Sequence, residues 1–571
     1  MEAYLMTQDV VYIVIFLIVL AALAPLMGRY MAAVFQGRRN LLSPVALPLE
    51  RLIYQVCRID EKEEMTWKAY AGDFLWFSGI GLVALFLLQL AQGRLPLNPQ
   101  GYASVHWDTA INTAISFMTN TNWQAYGGEV TMTYLTQMVG LTVQNFVSAA
   151  AGIAVALPLI RAFTSKLKET VGNFWVDMTR AVIYVLLPLS LILATVLVSQ
   201  GVVQTFSAYV HAQTLEGGKQ VIAVGPAASQ VAIKQLGSNG GGFFNANSAH
   251  PFENPTPLSN FLEMLSILLI PVALCFTFGI MINNRRQGSA IFWAMMVLFL
   301  LGLCVSLAAE WHFNPALARL GANGGNMEGK EVRFGIGPSV LWGEATTVTS
   351  NGSVNSMHDS MMPLTGLVYM FNIAVGEVVF GGVGVGLIGM LMYAILTLFL
   401  AGLMIGRTPE FLGKKLESRE MIMAVVVVVA PAIASLIFAA LATATKTGLA
   451  GLNNAGPHGL SEILYAYFSA AGNNGSAFAG LNANTPFYNL TTGFVMLVGR
   501  FLTIVPALAV AGSLAAKKSI PPSSATFPTA SALFVGMLAG VVIIVGALTF
   551  FPALVLGPVL EQLLLAAGRV F

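Results

Sequence analysis

The sequence predicts an all-α integral membrane protein of about ten transmembrane helices: four pseudo-symmetric units of span, re-entrant pore loop and span, with one extra span at each end. Three observations predict it. The 571 residues are 56% hydrophobic and only 9% charged, with a mean hydropathy of +0.75, which leaves too few solvating side chains for a soluble globule. Apolar runs long enough for a hydrocarbon layer of roughly 30 Å recur along the chain. Between them, clusters rich in Asn, Gly, Ser and Thr return four times.

The apolar runs lie near residues 10–27, 74–91, 132–160, 174–199, 258–282, 289–308, 363–405, 421–444, 488–513 and 531–557. No basic stretch precedes the first and no small-residue cleavage pattern ends it, so it reads as a retained span. Nineteen Lys and Arg fall in alternate inter-span loops and eight on the opposite side over longer stretches, which places both termini outside. All six histidines (His106, His211, His250, His312, His358, His458) then read as external loop residues, not intramembrane proton relays. A formal charge of +2 excludes nucleic acid as a partner. Cys57 in a polar loop and Cys275 and Cys304 in apolar runs have no metal-site spacing, so neither disulfides nor zinc are expected.

The recurring clusters are SFMTNTNWQ around Asn122, QLGSNGGGFFNANS around Asn239, TTVTSNGSVNS around Asn351 and SAAGNNGSAF around Asn474, at intervals of 117, 112 and 123 residues. Each sits between two spans, behind a mildly apolar, helix-compatible stretch. Non-helical backbone survives at membrane depth only where protein or water satisfies its polar groups, so four such loops imply one shared polar interior. A dehydrated monovalent cation needs oxygens in place of its water, and backbone carbonyls supply them. Asn and Gly adopt the unusual dihedrals that aim carbonyls inward with least strain. No carboxylate lies within a cluster, which disfavours calcium and magnesium. The organisation expected is 1–72 first span and basic cytoplasmic loop; 73–165, 166–287, 288–419 and 420–520 the four repeats, the third with a Gly-rich broken helix; and 521–571 the last span.

Several stretches resemble the potassium-binding A subunit of the bacterial Kdp potassium-transporting ATPase, in the superfamily of potassium transporters. They are TNTNWQ (119–124), GLTVQNF (140–146), GSNGGGFFNANSAHPFENPT (237–256), NMEGKE (326–331), GEVVFGGVG (376–384), GRTPEFLGKK (406–415), NNGSAFAGL (473–481) and VGRF (498–501). The resemblance implies a selectivity filter for potassium, the transported ion, formed by Thr121, Asn122, Ser238, Asn239, Gly240, Asn351, Gly352, Asn473, Asn474 and Gly475. It implies Gln124 and Gly241 as nearby supports. In this alignment Trp123 stands where the other loops have Gly, and Ser238 where the family often has Thr. The resemblance also implies a bacterial inner-membrane location with both termini periplasmic. The implied partners are a P-type ATPase catalytic subunit, a small single-span accessory subunit, a very small hydrophobic subunit and membrane lipid.

Two polar features lie within the spans. Glu377 opens a stretch whose Gly381, Gly382, Gly384, Gly386 and Gly389 predict a break in the 363–405 run, read as a gating segment or as close helix packing. Arg500 needs a cavity or a carboxylate, and Glu377 is its candidate partner. The chain has no Walker A or Asp-Lys-Thr-Gly motif and no acid/base constellation in its spans, so no catalytic residue or ATP site is expected on it. Two other classes share parts of the pattern. A free-standing channel or ion-coupled transporter would move potassium without ATP, and a scaffold would use the loops only as turns.

Overall fold

The computed structural model describes residues 2–312, 314–321, 324–376, 378–406, 409–521 and 526–569. Among them, ten helices are long and apolar enough to cross a membrane: Met6–Phe35, Trp67–Arg94, Thr136–Thr164, Phe174–Ser199, Pro257–Met281, Arg285–Trp311, Val385–Met404, Ser418–Ala444, Pro486–Ala515 and Ala532–Ala566. Four shorter helices dip between them, at Trp107–Met118, Ala227–Leu236, Ile336–Val348 and Gly456–Gly472. Each short helix ends at one of the Asn/Gly clusters, and the chain then returns to the membrane face it came from. That face is called outer below.

Local chemistry sets where the returning spans begin. Thr256 accepts a hydrogen bond from the Ser259 N–H at 3.1 Å, and the Ser259 hydroxyl accepts from the Thr256 N–H at 3.0 Å, ahead of Pro257. Thr485 caps the ninth span in the same way through the Tyr488 N–H, ahead of Pro486. A proline in the first turn lacks only an N–H that would have had no helical acceptor.

Burial separates central from peripheral spans. In the apolar stretches of the third and fifth spans 83% of residues are buried within the protein, against 22% in the first and second, which leave most of their apolar surface for lipid. The ninth span packs against the third and eighth spans and the first and fourth short helices, which closes the bundle between the fourth repeat and the first.

The break expected in the 363–405 run is present, and two other expectations change. The 363–405 run is two helices, Pro363–Ala374 and Val385–Ile405, and among the described residues between them the backbone is left-handed at Gly376, Phe380, Gly381 and Gly384. Cys57 ends an amphipathic helix, Ser43–Cys57, and does not lie in a polar loop. Two histidines are built into the protein. His358 is buried beside the Tyr465 hydroxyl at 2.8 Å, and His458 lies between Asp359 (3.0 Å) and Glu561 (2.7 Å). Helical hydrophobic patterning cannot reveal such contacts, because they join residues about a hundred positions apart.

Candidate functional site: a four-loop ring

Each short helix gives way to two left-handed residues bracketing a third of ordinary handedness. The pairs are Asn120 (φ 66°) and Asn122 (56°), Ser238 (48°) and Gly240 (84°), Ser350 (59°) and Gly352 (80°), and Asn473 (56°) and Gly475 (93°). The bracketed residues are Thr121, Asn239, Asn351 and Asn474. This corrects the alignment of the first loop: Asn122, not Trp123, occupies the position filled by Gly in the other three. Asn tolerates left-handed backbone better than any other residue but Gly, so the four-fold conformation survives the change of side chain.

The loops meet head to tail. A Cβ on Gly240 would stand 1.6 Å from the Asn351 carbonyl oxygen, one on Gly352 2.0 Å from that of Asn474, and one on Gly475 2.0 Å from that of Thr121. Three seams therefore need glycine for close approach as well as for handedness. At the fourth, Asn122 turns its amide outward, donating to Asn145 Oδ1 at 2.6 Å, and its Cβ lies against Gly241.

A belt of amide bonds closes the ring. The Asn120 amide donates to the Ser238 carbonyl (2.9 Å) and the Ser350 hydroxyl to the Gly472 carbonyl (2.7 Å). The Asn473 amide reaches the Thr121 hydroxyl (3.0 Å). The bracketed asparagines donate back toward the preceding repeat: Asn239 to Asn120 Oδ1 (2.5 Å), Asn351 to the Lys234 carbonyl (2.9 Å) and Asn474 to the Thr346 carbonyl (2.8 Å). Gln124 grips Gly242 in both directions, accepting from its N–H at 2.8 Å and donating to its carbonyl at 3.2 Å. Behind the second loop, the Asn247 amide holds the Gly240 carbonyl at 2.8 Å and its oxygen accepts from Lys234 Nζ, which pairs with Glu253; both charged side chains are fully buried.

Space lies on both sides of the ring. An outer vestibule of about 410 Å³ is bordered by Asn122, Gly240, Gly352 and Gly475, the outer member of every pair. A small inner cavity of about 40 Å³ touches Asn120, Ser350 and Asn473, three of the four inner members. The four short helices end here, and their C-terminal carbonyls carry partial negative charge, so the centre is electrostatically suited to a cation although no carboxylate lies in the ring. The inner cavity is also lined by Val375, Gly376, Val378 and Gly382, close to the Gly381 N–H that donates to the Val348 carbonyl (3.0 Å), and by Arg500, which donates to the Ser148 carbonyl at 3.0 Å.

The geometry thus brings together all ten residues expected in the filter, and Gln124 and Gly241 border it. Gly382 lines the inner cavity with Arg500, while the Gly381 N–H donates to the Val348 carbonyl. Glu377, the expected partner of Arg500, lies outside the described residues. Sequence reasoning missed Asn120 and Ser350, the inner left-handed residues of loops one and three, and the supporting Asn145, Ser148, Lys234 and Asn247. Counting back two residues from Gly240, Gly352 and Gly475 would have found the first two, once Asn122 was set opposite those glycines. Asn145 and Ser148 lie on the third span and left no local signal, whereas Lys234 sits near the end of the second short helix and Asn247 within the stretch 237–256.

Comparison with known proteins agrees with this architecture. A model of the family described as potassium-transporting ATPase A subunit matches residues 14–563. A protein of Methylorubrum extorquens is 59% identical over 554 residues, 97% of each chain, and one of Sorangium cellulosum is 58% identical over 566 residues, 96% of this chain and 98% of its own. Both are named potassium-transporting ATPase potassium-binding subunit. This chain belongs to that family. The fold is also that of the potassium transporter TrkH from Vibrio parahaemolyticus, at a TM-score of 0.53 and 14% identity, over 86% of this chain and 96% of the other.

Proposed function

We propose that the chain is the potassium-selecting subunit of an ATP-driven uptake pump of the bacterial inner membrane. Potassium enters from the outer vestibule, exchanges its water for oxygens of the four-loop ring, and passes to a separate P-type ATPase subunit that hydrolyses ATP. The closed ring between vestibule and inner cavity carries this reading. Its oxygens are neutral, which suits a weakly hydrated monovalent ion better than a divalent one. Thr121, Asn122, Ser238, Asn239, Gly240, Asn351, Gly352, Asn473, Asn474 and Gly475 are the residues assigned to the ion. Arg500 and the Gly-rich residues 378–384 bar a straight inward exit, so a bound ion leaves sideways toward the partner subunit. A small single-span subunit and a very small hydrophobic one complete the complex in this reading, and both termini of this chain are periplasmic.

The test is potassium-dependent ATP hydrolysis by the purified complex carrying Gly240→Ala. The substitution forces an alanine into left-handed backbone and against the Asn351 carbonyl, so the potassium needed for half-activation should rise about tenfold or more, with weaker discrimination against sodium and rubidium. An assembled variant complex with the native potassium response would remove the second loop from the filter. Uptake that proceeds without ATP would replace the pump reading with a free-standing transporter.

A further inference from the structure

The helix Ser43–Cys57, between the first and second spans, has three distinct faces. Ala46, Glu50 and Tyr54 are buried against the protein, with Glu50 accepting from Arg180 (2.9 Å), Tyr184 (2.6 Å) and Tyr54 (2.7 Å). Val45, Leu49, Leu52 and Val56 form a second stripe at helical spacing, and all are exposed, Val45 to 80% and Val56 to 73%. Arg51 and Gln55 occupy the third side, also exposed. A helix packed on one side, apolar on another and polar on the last lies in a membrane interface.

Where this helix ends, a groove of about 660 Å³ opens between it and the second and fourth spans. Its walls are Ile53, Phe77, Trp175, Met178, Val182 and Ile183. The wall residues Phe77, Val182 and Ile183 belong to helices long and apolar enough to cross a membrane, which sets the groove beside the hydrocarbon layer such helices span. Its rim carries Arg58, Asp60 and Glu63, and among the described residues none of the three forms an ion pair. The rim backbone is pinned: the Asn173 amide donates to the carbonyls of Asp60 (3.3 Å) and Glu63 (3.1 Å). Trp175, beside the rim, donates its indole N–H to Asp73 at 2.8 Å, the placement of an interfacial aromatic.

An apolar slot of this size, open to lipid and edged by one cation and two carboxylates, matches a ligand with an acyl chain, a phosphate and an ammonium group. We propose that the groove holds one aminophospholipid of the adjoining leaflet, its chain against Phe77, Met178 and Val182, its phosphate on Arg58 and its primary ammonium on Asp60 and Glu63. A purely anionic lipid would set its net charge against both carboxylates. A choline lipid has the same net charge as an ethanolamine lipid but no N–H to donate. The site lies apart from the ring and does not depend on its function.

The complete pump complex, equilibrated in nanodiscs of phosphatidylethanolamine, phosphatidylcholine or phosphatidylglycerol and then released into detergent, is read by native mass spectrometry for lipid retained on this chain. Phosphatidylethanolamine should be retained roughly threefold more than phosphatidylcholine, the scale of partly exposed ion pairs. The Asp60→Asn, Glu63→Gln double variant should erase that preference, and Val182→Trp, which fills the groove, should lower retention of every lipid. Equal retention of ethanolamine and choline lipids by the native complex would overturn the proposal, as would an unchanged preference in the double variant. Stronger retention of phosphatidylglycerol would also overturn it and assign the surface to anionic lipid through Arg38, Arg39, Arg51 and Arg58.

Discussion

At Asn122 the ring asks one residue for two things, a left-handed backbone and a side-chain amide that reaches Asn145. The three glycines opposite it meet only the first requirement. Asn122→Gly should therefore keep the loop conformation and lose the amide bond, lowering stability by about 1 kcal/mol. Asn122→Ala loses the same bond and adds left-handed strain of roughly a further 1 kcal/mol. Thermal unfolding of the purified complex should rank native above Gly above Ala, and an alanine variant equal to the glycine one would show that handedness is not what this position requires. The same residue explains why the first loop misaligns in sequence: matching Asn with Asn slides the register by one, because only backbone geometry distinguishes the two roles. Arg500 is the opposite case. A buried arginine in an apolar span is conspicuous in sequence, yet its acceptor, the Ser148 carbonyl, is 352 positions away and carries no side-chain signature.

Among the elements, the stretch between the helices Pro363–Ala374 and Val385–Ile405 borders the inner cavity at Gly376, Val378 and Gly382. Its glycine content announces a break, since glycine is a poor helix former and permits left-handed backbone. What the break packs against is not legible in it. Gly384 has φ 89°, and a Cβ there would stand 1.9 Å from the Gly152 carbonyl oxygen in the third span. Gly384→Ala should thus lift the segment away from the third span and open a leak. Potassium-loaded vesicles holding the variant complex without ATP should show faster rubidium exchange than the native ones. A tight vesicle would mean that the segment does not seal the inner side. The helix Ser43–Cys57 was unforeseen for a related reason. Its apolar stripe is short, and two prolines and charged residues interrupt the hydropathy that reveals the spans. Only the burial of Glu50 against Arg180 shows that it docks as a helix along the protein.

Over the whole molecule, the outer face is tied together by groups that a linear reading treats as separate loops. His458, in the first turn of the fourth short helix, bridges Asp359 in the third repeat and Glu561 near the end of the chain. Burial opposes its charge, but hydrogen bonds to the two carboxylates outweigh it and push its pKa up to about 10. Because the folded value exceeds the unfolded one near 6.5, the stabilisation is complete below that pH and is lost as pH rises toward 10. The unfolding temperature of the native complex should accordingly fall between pH 7 and 10 more steeply than that of His458→Gln, and parallel curves would remove this bridge from the stability of the outer face. The amino-acid sequence by itself determined the class of molecule, the ten spans and the four recurring clusters. Hydropathy, helix length and the conformational tolerance of Asn and Gly are local properties, written where they act. Only the tertiary structure decided the register of the first loop, the inner ring residues Asn120 and Ser350, the buried Lys234–Glu253 support and the residues that line the cavity beneath the ring. Each of these rests on contacts between residues a dozen to several hundred positions apart, which form when the four repeats pack around one axis.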